Sequence, residues 1–268
     1  MTVTKIQEPI NEPIKWVNEE PLKAVQDYSI YKIMPYKYFL AWLENKQVRL
    51  EQISSWGDKF ELFLFKQKYR SNFDKELKDI SMEAVSKAIY GQSWSLCPES
   101  DAMWRIYSPN CLSVKIHTTT NKLIKALEGC SPSKSHMITY LGRVNYYSLE
   151  ALLNRITTIY VPNGVTLEET MVCSLFDKRD VLSYENEFRW AIIRATQTEC
   201  NGYKQDVPIK PYLLLDIDPK CFVDEVCFDY RLDDNLYNSM KCCVQKFLPN
   251  AVITKSTLAD FTPMEFTI

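Results

Sequence analysis

The run Tyr184-Glu185-Asn186-Glu187-Phe188-Arg189-Trp190 holds the densest set of chemically capable side chains in the sequence. Two carboxylates one residue apart suit acid–base work or the stabilisation of a developing positive charge, and a nearby arginine can balance them. On a strand, the period of two puts Glu185, Glu187 and Arg189 on one face, with Phe188 and Trp190 on the other. Like charges that close raise each other's pKa unless a cation compensates, and Arg189 is such a cation. The same spacing also describes a solvated, ion-paired face that does no chemistry. The polar stretch Asp177-Lys178-Arg179-Asp180 just ahead of the run favours a functional role.

Other chemistries find less to work with. Six glycines leave no GxGxxG and no GxxxxGK[ST], so neither a dinucleotide turn nor a P-loop is available. Gly91-Gln92-Ser93-Trp94-Ser95 lacks the second glycine of a nucleophile elbow. A Ser-His-acid triad would need His117 or His136, and no Cys-x-x-Cys pair exists for zinc. Asp58, Glu61, Glu185 and Glu187 together could surround Mg²⁺ in a metal-dependent nuclease, because hard cations take carboxylate oxygens. Lys+Arg 32 against Asp+Glu 34 gives a net charge of −2, which supplies no bulk attraction for nucleic acid. A surface rich in aromatics, with 16 tyrosines, leaves a non-catalytic protein-binding module open.

These residues need a scaffold, and 268 residues are enough for one large domain or two small ones. A composition of 46% hydrophobic and 25% charged residues is that of a globular protein, not a disordered one. The longest charge-free stretch, Ile156 to Leu167, is short and holds Pro162 and Gly164, so no membrane-spanning helix is expected. The N-terminus lacks the apolar core of a secretory signal. Nine cysteines, an odd number set in apolar runs such as Val226-Cys227-Phe228, read as reduced thiols of a cytoplasmic protein.

Residues 1–27, with Pro9, Pro13 and Pro21 among Glu8, Glu12, Glu19 and Glu20, read as an extended arm anchored by Trp16 and Val17. Residues 28–268 read as one domain. Strands are expected at Tyr28–Met34, Gln47–Leu50, Gln92–Leu96, Leu112–His117, Met137–Tyr147, around Phe188–Ile192, at Tyr212–Ile217 and at Asp224–Phe228, with an edge strand near Val252. Helices are expected after Pro35, at Asp101–Tyr107, Thr118–Glu128, Leu149–Thr158 and Leu167–Phe176, and as two helices over Phe60–Tyr90 broken near Ser71-Asn72. A last helix carries Leu236, Met240, Cys243 and Phe247 on one face. The best loop is Ser131–Ser135, and Pro162-Asn163-Gly164 reads as a turn. Helices early and strands late, without a βαβ rhythm, give an α+β fold with a mixed or antiparallel, possibly split, sheet flanked by helices.

The order Ile30-Tyr31-Lys32, Trp56-Gly57-Asp58-Lys59-Phe60-Glu61, Ser93-Trp94-Ser95, Asp101 to Tyr107, Lys178-Arg179, Tyr184 to Arg189 and Leu215-Asp216-Ile217-Asp218-Pro219 resembles an uncharacterised bacterial family, domain of unknown function twenty-nine seventy-one. More remotely, a basic residue on a first strand, a Ser-x-Ser strand and a late Glu-x-Glu strand resemble the pattern of ADP-ribosyltransferases. That resemblance implies NAD as a substrate, held by Lys32, Ser93 and Ser95, with Arg189 beside it and Trp94 or Tyr107 near enough to stack on a flat ring. It implies that Glu187 stabilises an oxocarbenium-like centre at the nicotinamide ribose, and that Glu185 is the base toward an incoming nucleophile. It implies no metal, an acceptor that is protein, nucleic acid or water, no membrane, and a toxin or phage-defence role.

Overall fold

Alternating apolar and polar residues pair into strands here as their period of two requires. The computed structural model describes residues 14–17, 26–58, 60–71, 78–81, 83–129, 137–158, 167–194, 197–200, 203–206 and 208–261. The chain divides into two units, the first made of Met1–Leu22, Leu50–Ser93 and Pro132–Leu213, the second of Lys23–Arg49, Trp94–Ser131 and Leu214–Ile268. The fold class is α+β, with mostly antiparallel strands flanked by helices.

In the first unit the sheet runs from strand Ile14–Val17 to Met137–Arg143, then Glu187–Arg194, then the Ile89–Ser95 strand, which continues into the second unit at Trp94. The first two pairings are antiparallel, with Trp16 opposite Thr139 and Trp190 opposite Leu141. Helix Leu167–Ser174 and the turn after it bring Met171, Val172, Leu175 and Phe176 against Ile53, Leu62, Phe65, Ile89 and Tyr140. Each such fully buried side chain contributes roughly 1.5–3 kcal/mol. A short parallel pair, Asn145–Tyr147 with Asp177–Arg179, lies beside helix Leu149–Thr158.

Among the described residues of Phe60–Tyr90, the two expected helices are not formed. The stretch holds a short 3₁₀ turn, Leu64–Lys66, an antiparallel pair, Lys68–Ser71 with Lys78–Ser81, and one short helix, Glu83–Lys87. Tyr69, Phe73, Leu77 and Ile80 do recur at helical spacing, yet Lys68–Ser71 and Lys78–Ser81 pair as strands, so the weak prior of helical periodicity yields to strand pairing. A second hairpin, Gln197–Cys200 with Tyr203–Asp206, flanks Asn201-Gly202, the strongest short hairpin signal a sequence can carry.

In the second unit Ser29–Pro35 pairs antiparallel with Ser113–Thr119, which pairs antiparallel with Glu225–Phe228, which pairs parallel with Val252–Lys255. One sheet face carries Ile30, Val114, Ile116, Val226 and Phe228, all buried. Helix Tyr36–Asn45 buries Phe39, Trp42 and Leu43. Helix Asp234–Phe247 is capped by Asp233, which accepts from the Asn235 and Leu236 amides, and it buries Met240 and Val244. Leu236, expected on the buried stripe, sits in the first turn and is exposed.

Of the expected arm, Ile14–Val17 is the paired strand just described, while Pro9, Pro21 and the arm glutamates lie outside the described residues. So do the Ser131–Ser135 loop, His136 and the Pro162–Gly164 turn. Among the described residues, no helix is long and apolar enough to cross a membrane.

Candidate functional site

The Glu-x-Glu run is not one strand. Residues Asp180–Glu185 wind into a 3₁₀ turn, and Asn186 closes it in the left-handed region with φ 40°, its N–H donating to the Ser183 carbonyl. Asparagine tolerates that conformation better than most residues. The strand begins only at Glu187. Glu185 and Glu187 therefore do not share a face by strand alternation, yet the sharp turn still brings both carboxylates to one ammonium.

That ammonium belongs to Lys178, whose Nζ lies 2.5 Å from Glu185, 2.7 Å from Glu187 and 2.9 Å from Glu61. The Arg189 guanidinium completes the cluster. Its Nε donates to Glu187 Oε2 at 2.6 Å and to Ser93 Oγ at 3.1 Å, its Nη2 to Glu61 Oε1 at 2.6 Å, and its Nη1 to the Leu175 carbonyl. The Glu187 N–H donates to the Tyr146 hydroxyl at 2.9 Å. Lys178, Glu61, Glu185, Glu187 and Arg189 are all buried. Glu185 and Glu187 are thus buried in the first unit and do not form a solvated face, while Tyr184 beside them is exposed.

Charge decides how the cluster holds protons. Three carboxylates meet two cations among these residues, so ionising all of them would leave an uncompensated buried negative charge. Burial and the hydrogen bond to Glu187 push Glu185 up to about 7, against the pull of Lys178. For Glu187, burial is outweighed by Arg189, by Glu185 and by Lys178, which together hold it well below the usual carboxylate range. Lys178 is raised although burial works the other way, because Glu187 and Glu61 favour its charged form. One excess proton thus sits on Glu185 below about pH 7 and is released around it, while Glu187 stays ionised.

Ser93 accepts from Arg189 and so belongs to this cluster. The other expected NAD-binding residues lie in the second unit. Lys32 is half-buried and sits opposite Ile116, whereas Ser95 sits opposite Tyr31, so Lys32 and Ser95 project from opposite faces of that strand layer. The Ser95 hydroxyl accepts from the Cys97 amide at 3.0 Å. Trp94 is core, with its ring edge-on to Phe222 at 5.7 Å. Tyr107 ends helix Asp101–Tyr107 with its ring exposed, and its carbonyl accepts from Ser113 Oγ.

Lys178, Glu61 and Tyr146 are the site residues that sequence reasoning does not assign to this chemistry. The polar stretch before the acidic run marks Lys178 as near it, but nothing local says that its ammonium turns inward. Glu61 enters the sequence reading as a possible metal ligand and as the end of the Trp56–Glu61 motif, with no part in NAD chemistry. It does meet Glu185 and Glu187, around Lys178 and Arg189, so ammonium and guanidinium supply the positive charge that a divalent ion would bring. Among the described residues no group of three or more His, Cys, Asp or Glu is placed to hold a metal ion.

No family model matches the chain, and no curated protein does. Solved structures of a Thermus sp. 2.9 DarT are similar to it at low level. The complex with NAD⁺ shows 11% identity and a TM-score of 0.36 over 87% of this chain and 98% of that one. The complex with carba-NAD⁺ shows 12% identity and a TM-score of 0.35 over 87% and 96%. The complex with ADP-ribosylated ssDNA shows 10% identity and a TM-score of 0.37 over 88% and 98%.

Proposed function

We propose that this chain is an NAD-using, ADP-ribosyltransferase-like enzyme whose reaction centre is the Glu185–Glu187 pair. The observation that carries the proposal is two buried carboxylates meeting one lysine, of which Glu187 alone is also held by Arg189, so that burial raises Glu185 while the cations lower Glu187. Cleaving the bond between nicotinamide and ribose needs a fixed negative charge where positive charge develops, and ionised Glu187 has it. Transfer to an acceptor needs a base that can take a proton near neutral pH, and Glu185 is poised for that. Arg189, itself bonded to Ser93, holds Glu187 in place, and burial of both carboxylates strengthens each of these interactions. Lys32 and Ser95 project from opposite faces of their strand layer, so the proposal does not have them hold NAD as one pair. The resemblance to the domain-of-unknown-function family, and a toxin or phage-defence role, belong to the same reading.

The test is nicotinamide release from NAD by the purified protein, with protein, RNA and single-stranded DNA offered as acceptors. Glu187→Gln keeps shape and hydrogen bonding but removes charge, and is expected to lower release by roughly 10²–10³-fold, the scale of losing one electrostatic stabiliser. Glu185→Gln is expected to impair transfer more than hydrolysis. Wild-type release by Glu187→Gln would remove the enzyme reading and leave the protein-binding module.

A further inference from the structure

The Arg189 guanidinium, whose edge is spent on Glu187, Glu61, Ser93 and the Leu175 carbonyl, has its flat face covered by Trp56, with the ring centroid 4.7 Å away. Trp56 closes the 3₁₀ turn Ile53–Ser55 and packs on the apolar core of the first unit. Its indole lies directly on Gly91. A Cβ added there would stand 2.6 Å from Trp56 Cζ2, 3.1 Å from Cη2 and 3.3 Å from the Trp190 carbonyl oxygen. The backbone angle at Gly91 is one any residue adopts, so what excludes a side chain is the indole.

We propose that Trp56, seated on Gly91, is a positioning residue for Arg189, holding the guanidinium in the one plane from which Nε reaches Glu187 and Nη2 reaches Glu61. The inference rests on the Glu185–Glu187 reading for its bearing on catalysis, while the geometry stands apart from it. A planar fork must be oriented as well as present, and an aromatic face stacked on it fixes that plane and keeps water off it. If the fork swings away, Glu187 loses its strongest partner and competes with Glu185 for the shared proton. The groups facing that proton are Glu187 and Lys178, with Tyr184 bonded to Glu185 and Glu61 across Lys178. With less positive charge nearby, the pair binds its proton more tightly, so its titration midpoint moves up.

The experiment reads that midpoint by carbon-13 NMR of labelled glutamate carboxyls, alongside circular dichroism for folding. Gly91→Ala and Trp56→Ala are each expected to raise it by on the order of one pH unit, a tenfold gain in proton affinity. Trp56→Phe is expected to keep it close to wild type. The double variant Gly91→Ala with Trp56→Phe is expected to restore it, because phenylalanine lacks the outer indole atoms that the new methyl would strike. Should Gly91→Ala fail to fold, the contrast between Trp56→Ala and Trp56→Phe decides. An unchanged midpoint in folded Trp56→Ala, or no restoration in a folded double variant, overturns the proposal. No NAD is needed for the readout, so a protein that consumes none leaves this inference standing, and an unchanged midpoint in an NAD-consuming protein removes it alone.

Discussion

Each unit buries a carboxylate against an arginine, and the two arrangements differ in their charge balance. In the second unit Asp229, 0% exposed, faces Arg231, which donates to it through Nε at 2.9 Å and Nη2 at 2.6 Å and whose Nη2 also reaches the Ser108 and Trp104 carbonyls. One acid meets one base, and Asp229 is held below its ordinary range by the hydrogen bonds from Arg231, which outweigh its burial. In the first unit three acids meet two bases, and the surplus shows as a proton on Glu185 that titrates near 7. A matched pair is an inert staple at physiological pH. A mismatched cluster can exchange a proton there, as a reaction centre must.

The largest effect that would sharpen the contrast belongs to the staple. Trp104 is fully buried, donates from its indole to Glu99 and offers its carbonyl to Arg231. Trp104→Ala is expected to cost roughly 3–5 kcal/mol, as other large-to-small core changes do. Thermal unfolding checks this, and an unshifted transition would mean the second unit does not depend on that core. Next, Asp229→Asn leaves the Arg231 fork facing a neutral group and is expected to cost roughly 2–4 kcal/mol at pH 7. Since the folded-state pKa of Asp229 is depressed, its contribution is present above the unfolded carboxylate range and is lost as pH falls through the folded value. The variant should therefore converge with wild type in acid. A constant gap down to pH 2 would break the argument.

The smallest effect has the opposite sign. Glu185 has a raised folded-state pKa, so between its ordinary value and about 7 the folded state binds more protons than the unfolded one. Its burden on stability is therefore absent in acid and grows as pH rises. Glutamine mimics the protonated acid, accepting from Lys178 and donating to Glu187. Glu185→Gln is expected to be on the order of 2 kcal/mol more stable than wild type at pH 8, with the difference vanishing below about pH 4. Parallel unfolding curves across that range would show that no proton is held on Glu185.

Much of the scaffold was readable because its signals are local. Helix Leu149–Thr158 lies where its spacing puts it, and Pro35 precedes helix Tyr36–Asn45 as a proline at a helix start should. Phe188, Trp190 and Ile192 alternate on a strand as expected. The site was legible in part, since Glu185, Glu187, Arg189 and Ser93 do converge. What stayed hidden was whatever depends on distant chain segments. Lys178 and Glu61 meet across more than a hundred residues, and strand alternation cannot foresee the left-handed Asn186 that turns Glu185 off the strand. The resemblance to ADP-ribosyltransferases implies Lys32 and Ser95 as partners, but pairing register is a tertiary property, and it puts them on opposite faces.

Nicotinamide release by Glu187→Gln and Asp229→Asn, assayed side by side well below both unfolding transitions, tests the central claim most directly. Both substitutions neutralise one buried, ionised carboxylate held by an arginine. The mismatched cluster is predicted to be the reaction centre, so Glu187→Gln should lose roughly 10²–10³-fold in rate while Asp229→Asn keeps a rate close to wild type. Equal losses in the two variants, or none in Glu187→Gln, would contradict it.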